Sequence, residues 1–195
     1  MASNDSPAPA PALGNPAVIG LGGFGMTTLM LQFHNLGLIN VTPVIWLGFV
    51  FGGGAQLIAG YQEQKTGNNF GYAAFAGYGA FWISLCAYLL GSTSGNKMLA
   101  LTDNDVAFYL LGWTLFTAGL WLISFKISKM MFLTFLTLTI GFALLVMVFW
   151  GHKELLHIAA YDLIVCALCA WYMMFHVIGH SVFGRDVLPV GKPLI

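Results

Sequence analysis

The chain has 195 residues, of which 58% are hydrophobic and 7% charged, with a mean hydropathy of +0.82. A soluble domain usually carries about 25% charged residues, so this composition excludes a soluble fold of ordinary surface. Seven basic residues match seven acidic ones, which leaves no basic face for nucleic acid.

A polytopic membrane protein remains, and its elements read in chain order. Residues 1–14, rich in Pro, Ala and small polar side chains, form an expected disordered or loosely extended tail. No basic segment precedes an apolar stretch there, unlike a signal peptide. Six apolar stretches follow near 16–33, 43–61, 70–91, 105–125, 130–150 and 155–178. Each is long enough for a helix to cross a hydrocarbon core of roughly 30 Å. Continuous apolar runs, rather than short alternating segments, favour helices over a barrel. The fold class is an all-α bundle of six transmembrane helices over 15–182, with a short C-terminal tail over 183–195. Pro43 fits the first turn of span 2, and Asp103 and Asp105 are placed to cap span 4.

Six spans put both termini on one side. That side holds Lys65, Lys126, Lys129, Arg185 and Lys192, against Lys97 and Lys153 opposite. The positive-inside rule then orients both termini to the cytoplasm of a cell (inner) membrane. Glycine is abundant, at 24 residues. Small residues recur at four-residue spacing in Gly48/Gly52 and Ala55/Ala59, and again in Ala73/Gly77 and Ala76/Ala80. Such faces let helices approach closely, within a bundle or between protomers. Gly52-Gly53-Gly54 weaken a helix by about 1 kcal/mol each relative to Ala, and allow a kink or a close contact.

Polar groups inside spans should face other helices or water. Span 1 opens with Asn15-Pro16, a helix start whose free N–H groups attract anions. Phe24, Thr28, Gln32 and Asn35 then lie along one face, with Thr27 adjacent, and span 2 carries Gln56. These read either as helix–helix hydrogen bonding or as the lining of a path for a small solute. Phe75, Tyr78 and Trp82 share a face of span 3, and span 5 offers Thr134 and Leu138 with Thr137 and Gly141. Span 6 holds His157, Tyr161, Asp162, His176 and His180. Asp162 is the proton-coupling candidate, because a carboxyl within hydrocarbon is costly when charged; its alternative is a neutral acid bonded to a neighbouring helix. His176 and His180 are spaced as metal ligands can be, yet also suit a helix C-terminus. Cys86, Cys166 and Cys169 lie in apolar runs and read as small hydrophobes. Gly20-Leu21-Gly22-Gly23 is no phosphate loop, and no nucleophile elbow occurs, so an ATP-driven pump or a hydrolase has no support.

Asn15-Pro16-Ala17-Val18-Ile19-Gly20-Leu21 resembles the Asn-Pro-Ala-Pro-Leu-Gly-Leu signature of acetate uptake transporters, the succinate–acetate permease family. The resemblance continues through Gly23-Phe24-Gly25-Met26-Thr27-Thr28, Gly67-Asn68-Asn69-Phe70-Gly71, Tyr78-Gly79-Ala80-Phe81-Trp82 and Phe183-Gly184-Arg185-Asp186-Val187-Leu188-Pro189. It implies a channel-like six-helix protomer carrying acetate, in some members succinate, coupled to protons, assembled as a hexamer with one path per protomer. It further implies a hydrophobic constriction at the positions of Phe24, Tyr78 and Leu138. The chain departs from the signature at Val18 and Ile19, and at Asp162 and Leu163, where the family usually has an apolar or aromatic residue and often Gly.

A transporter of small monocarboxylates needs donors that do not bind too tightly to release. Asn15, Thr27, Thr28, Gln32 and Gln56 are the candidates, and no cofactor is called for. The expected lumen is shared by spans 1, 2, 3 and 5. Two other classes stand beside this reading. One is a passive channel for neutral or weakly basic solutes such as ammonia. The other is a membrane redox subunit using the five His for haem.

Overall fold

A computed structural model describes residues 13–195, so the expected tail lies, but for two residues, outside the described part. Among the described residues, six helices are long and apolar enough to cross a membrane: span 1, Ala17–Asn35; span 2, Thr42–Lys65; span 3, Asn69–Thr93; span 4, Asp103–Ser124; span 5, Lys129–Phe149; and span 6, Lys153–Phe183. All six sequence stretches become helices. Two run further than their apolar content. Span 2 continues through Gln62–Lys65, because Glu63 turns inward and is buried there. Span 6 continues to Phe183 and ends at Gly184, whose φ of 65° is the left-handed cap glycine favours.

The helix starts follow capping chemistry. Asn15 Oδ1 accepts from Ala17 N at 2.9 Å, so Pro16 precedes the first helical residue rather than being it. Asn68 Oδ1 accepts from Gly71 N at 3.1 Å, and Ser128 Oγ from Met131 N at 3.1 Å. Pro43 sits in the first turn of span 2, as expected. At span 4 the cap is Thr102, in a reciprocal box with Asp105, while Asp103 instead pairs with Lys153 at 2.8 Å. A hydroxyl in extended backbone reaches the third N–H of the helix, which a carboxyl already inside the turn does not.

Spans 4, 5, 6, 1, 2 and 3 pack side by side in that order. Spans 3 and 4 close the ring through side chains. Phe81 stacks on Tyr109 with centroids 6.0 Å apart, Phe81 meets Trp113 edge-on at 5.2 Å, and Ser84 Oγ lies 2.8 Å from the Tyr109 hydroxyl. The ring therefore encloses a lumen to which all six spans contribute, not spans 1, 2, 3 and 5 alone. Trp46, Val50, Ile58, Leu115, Leu122, Val165 and Leu168 are exposed on its outside, an apolar surface suited to hydrocarbon.

The glycine run of span 2 takes the form of a π-helix, Gly48–Ala55. A π-turn often marks a functional site in a longer helix. Here the glycines press against the protomer's own helices. A β-carbon placed on Gly52 would sit 2.6 Å from Thr27 Oγ1 and 2.9 Å from Trp82 Cγ. The Gly48/Gly52 pair thus serves contacts inside one bundle.

The segment after span 6 is not a loose tail. His176 Nδ1 meets the Leu188 carbonyl at 2.6 Å, and His180 Nδ1 meets Asp186 Oδ1 at 2.8 Å. Tyr172 donates to Pro189 O at 3.0 Å, Met130 N to Val190 O at 3.0 Å, and Leu194 N to Phe125 O at 2.8 Å. The C-terminal residues strap the ends of spans 4, 5 and 6 together. The His pair that metal-ligand spacing singled out has its Nδ1 atoms engaged in this strap.

Candidate functional site

Two cavities are stacked along the lumen. The first, of about 80 Å³, opens at the end that carries the start of span 1 and the C-terminus. It is lined by Ala17, Phe24, Gln56, Glu63, Tyr78 and Thr134, among others. The second, of about 380 Å³, occupies the opposite half and is lined by Phe24, Thr28, Gln32, His34, Asp103 and Leu138, among others. Phe24 borders both, while Tyr78 borders the terminal-side cavity and Leu138 the far one. The Phe24 and Tyr78 rings are 5.6 Å apart and tilted by 54°. All three side chains are buried. The structure places Phe24 between the two cavities, against Tyr78 on the terminal side, and Leu138 in the wall of the far one.

Tyr78 is held there by a partner that sequence reading missed. Its hydroxyl lies 2.9 Å from Thr117 Oγ1 on span 4, and both side chains are buried. Trp113, Phe116 and Phe135 surround the same ring. Thr114 and Thr117 lie three residues apart midway along span 4, and spacing alone does not tell that Thr117 bonds across to span 3 while Thr114 donates to Leu110 O of its own helix. Removing either hydroxyl leaves the other unpaired in an apolar setting. Hydrogen bonds between membrane helices average about 0.6 kcal/mol, with a maximum near 1.7. Thr117→Val and Tyr78→Phe are each expected to destabilise by about that much. The double variant should cost less than their sum, in a thermal-unfolding cycle on detergent-solubilised protein.

The other candidates divide. Thr28 and Gln32 line the far cavity. Gln32 is fully buried; its Nε2 donates to Thr28 O at 3.2 Å and its Oε1 accepts from Asn35 Nδ2 at 2.9 Å. Gln56 lines the terminal-side cavity, is fully buried, and has neither amide atom paired. Thr27 is equally buried but lines neither cavity; it sits in the tight contact with Gly52. Asn15 is exposed, and its side chain caps span 1 beside the cavity mouth instead of lining it. Asp162 is half-buried beside Gly141 and lines neither cavity, and the bond to a neighbouring helix that its alternative reading required is not made by its buried Oδ2. Thr134 and Thr137 donate to carbonyls of their own helix, Met130 O and Leu133 O, at 2.8 and 2.9 Å. The three cysteines are buried and free, as small hydrophobes would be.

Glu63 is an acidic residue that falls outside the six apolar stretches, in the polar segment between 43–61 and 70–91. It is 3% exposed and lines the terminal-side cavity. Its Oε2 accepts from Asn68 Nδ2 at 2.7 Å, and its Oε1 is buried without a partner. Among the described residues no Lys or Arg lines either cavity, and the acidic lining residues are Glu63 and Asp103. Among the histidines, only His34 borders a cavity.

A bundle of six membrane-spanning helices around paired cavities defines a membrane transport protein. The comparisons agree: residues 1–184 match the GPR1/FUN34/yaaH family, and the chain belongs to that family. It is 39% identical over 186 residues to the succinate-acetate/proton symporter SatP of Escherichia coli, covering 92% of this chain and 96% of that one. It is 35% identical to the ammonia transport outward protein 2 of Saccharomyces cerevisiae, over 86% of this chain and 62% of that one. Among solved structures, that of the bacterial acetate channel SatP superposes with a TM-score of 0.88 at 37% identity, covering 92% of this chain and 100% of that one. These relatives are transporters and a channel, not enzymes.

Proposed function

We propose that this protein carries acetate, and small monocarboxylates like it, across the membrane together with protons, and that succinate is within its range. The path in each protomer runs from the far cavity, past Phe24, Tyr78 and Leu138, to the terminal-side cavity. Thr28, Gln32 and Gln56 offer hydroxyl and amide groups along it, with Asn15 and the start of span 1 at one mouth. The protomers assemble as a hexamer with both termini in the cytoplasm, as the family resemblance and the distribution of basic residues imply.

The observation that carries this reading is that one aromatic, Phe24, is shared by two cavities that otherwise have different linings. A hydrophobic constriction between wet vestibules admits a small solute while interrupting a continuous water column. The charges of the linings argue for proton coupling. A carboxylate entering low dielectric is strongly disfavoured without a partner, and among the described residues neither cavity offers a Lys or Arg to pair with it. The solute therefore crosses accompanied by a proton. In liposomes with an inwardly directed proton gradient, the purified protein is expected to accumulate labelled acetate, and collapse of the gradient should stop accumulation. Absence of any protein-dependent acetate movement would defeat the assignment.

The acidic linings also favour a second reading, a passive path for weakly basic solutes such as ammonia. Competition separates the two. Under the carboxylate reading, unlabelled acetate and propionate suppress labelled acetate uptake, whereas ammonium and methylammonium at equal concentration do not.

A further inference from the structure

The terminal-side cavity contains buried polar atoms that none of the described residues satisfies. They are the two amide atoms of Gln56 and Oε1 of Glu63. Leaving such a group unpaired costs about 1–3 kcal/mol, and more when it is charged, so an unpaired set facing a cavity points to an occupant. Gln56 and Glu63 are seven residues apart on one helix, about 10 Å along its axis, and so form two separate stations. Gln56 sits near Phe24 and Tyr78, deep in the path, and Glu63 sits by the mouth. The cavity is well above the roughly 10–15 Å³ that a single water needs, so it has room for a small solute.

Glu63 is built into place. Asn68 Nδ2 fixes Oε2 from the start of span 3, and Gly71 lies against the carboxyl, where a β-carbon would come within 2.8 Å of Glu63 Cδ. Only Oε1 is left to meet a solute. Of the lining side chains from the other spans, Tyr78 is the one further titratable group, and no charged group faces Glu63 from spans 1, 3, 5 or 6 within the cavity. Lys65 and Lys129, at the same end, are exposed and outside the lining.

We propose that Glu63 is a proton-sharing station for a small carboxylate in the terminal-side cavity, so that the anion binds there only together with one proton. The inference rests on the transport reading above. Two carboxylates within hydrogen-bond distance cannot both stay ionised at low cost. Acetate, the Glu63 carboxylate and one proton therefore combine into a single acid–anion pair of net charge −1, with the proton between Oε1 and a substrate oxygen. Nothing is oxidised or reduced. When the substrate leaves, the proton goes to water at the mouth with it. The start of span 3, whose peptide N–H groups lie beside Glu63, favours the remaining negative charge. Asp162, lining neither cavity, has no such contact with a solute in the path.

The test is titration calorimetry of acetate binding to the purified full chain in buffers of different ionisation enthalpy, which counts protons taken up per acetate. Wild type should take up about one. Glu63→Gln keeps an acceptor for Asn68 and offers a neutral amide to the solute. It should bind acetate with proton uptake reduced to near zero and a pH dependence flattened at least tenfold across two pH units. Uptake of one proton by Glu63→Gln, or its loss in Asp162→Asn in place of Glu63→Gln, overturns the proposal. Wild type that neither binds nor moves acetate defeats the transport reading itself; wild type that transports while Glu63→Gln couples normally defeats only Glu63. Should Glu63→Gln fail to fold, a hydrophobic carbodiimide applied to wild type reads the same group. Modification of Glu63 slowed by acetate supports the station, and modification insensitive to acetate, or none, overturns it.

Discussion

Replacing Phe24 with alanine is expected to join the two cavities and to raise passive efflux of labelled acetate from liposomes about tenfold. The ring is the element common to both linings, and it is buried against Tyr78 at 5.6 Å. Truncation removes the apolar volume that separates the terminal-side cavity from the far one. Water would then fill the gap, and a solute would keep part of its hydration on the way through. A barrier lower by about 1.4 kcal/mol gives the tenfold change. A wider opening should also admit longer carboxylates, so efflux of lactate should rise by more than efflux of acetate. Phe24→Trp should do the opposite and slow both. Equal efflux from wild type and Phe24→Ala for both solutes would show that the barrier lies elsewhere. Leu138→Ala, on the far-cavity side, should widen the same boundary with a smaller effect, because Tyr78 and Phe24 still meet.

Much of this architecture is legible in the sequence. The six spans follow from apolar length alone, because a helix in hydrocarbon needs no more information than that. The stripe Phe24, Thr28, Gln32 and Asn35 faces the far cavity because helical spacing puts it on one side and span 1 is packed between spans 6 and 2. What periodicity does not carry is the assignment of a polar residue near a helix end. Glu63 reads as loop because Gln62, Gln64 and Lys65 around it are polar; the start of span 3, through Asn68, holds its carboxyl inward. Thr27 and Thr28 are adjacent and chemically alike, yet one meets Gly52 and the other a cavity. Their rotation relative to span 2 depends on the π-turn, and a pattern of i, i+4 spacings assumes a regular helix. Asp162 was conspicuous for its cost in a membrane, but cost alone does not say which way a side chain faces. The closure of the ring between spans 3 and 4 rests on Tyr109, Trp113 and Thr117, which helical spacing puts on one face without naming their partners on span 3.

The same π-turn sets the second large effect. Gly52→Leu is expected to destabilise the protein by about 1–3 kcal/mol or more, the range for forcing extra side-chain atoms into a packed site. Even a β-carbon at that position would lie within 2.9 Å of atoms from two other spans, Thr27 on span 1 and Trp82 on span 3. Neither can withdraw cheaply, since both are fully or almost fully buried. The helices must separate, and span 2 would carry Gln56 away from the boundary formed by Phe24 and Tyr78. Thermal unfolding in detergent, followed by tryptophan fluorescence, should report the loss, with a shift in emission because Trp82 sits at the contact. Gly54 supplies the contrast two residues on: a β-carbon there meets only Phe49 O, at 3.4 Å. Gly54→Ala should therefore be neutral or gain up to about 1 kcal/mol from helix propensity. If the two positions respond alike, the glycines serve backbone flexibility and not close packing. If Gly52→Leu alone loses stability and acetate uptake together, the π-turn is what holds the amide of Gln56 in the path.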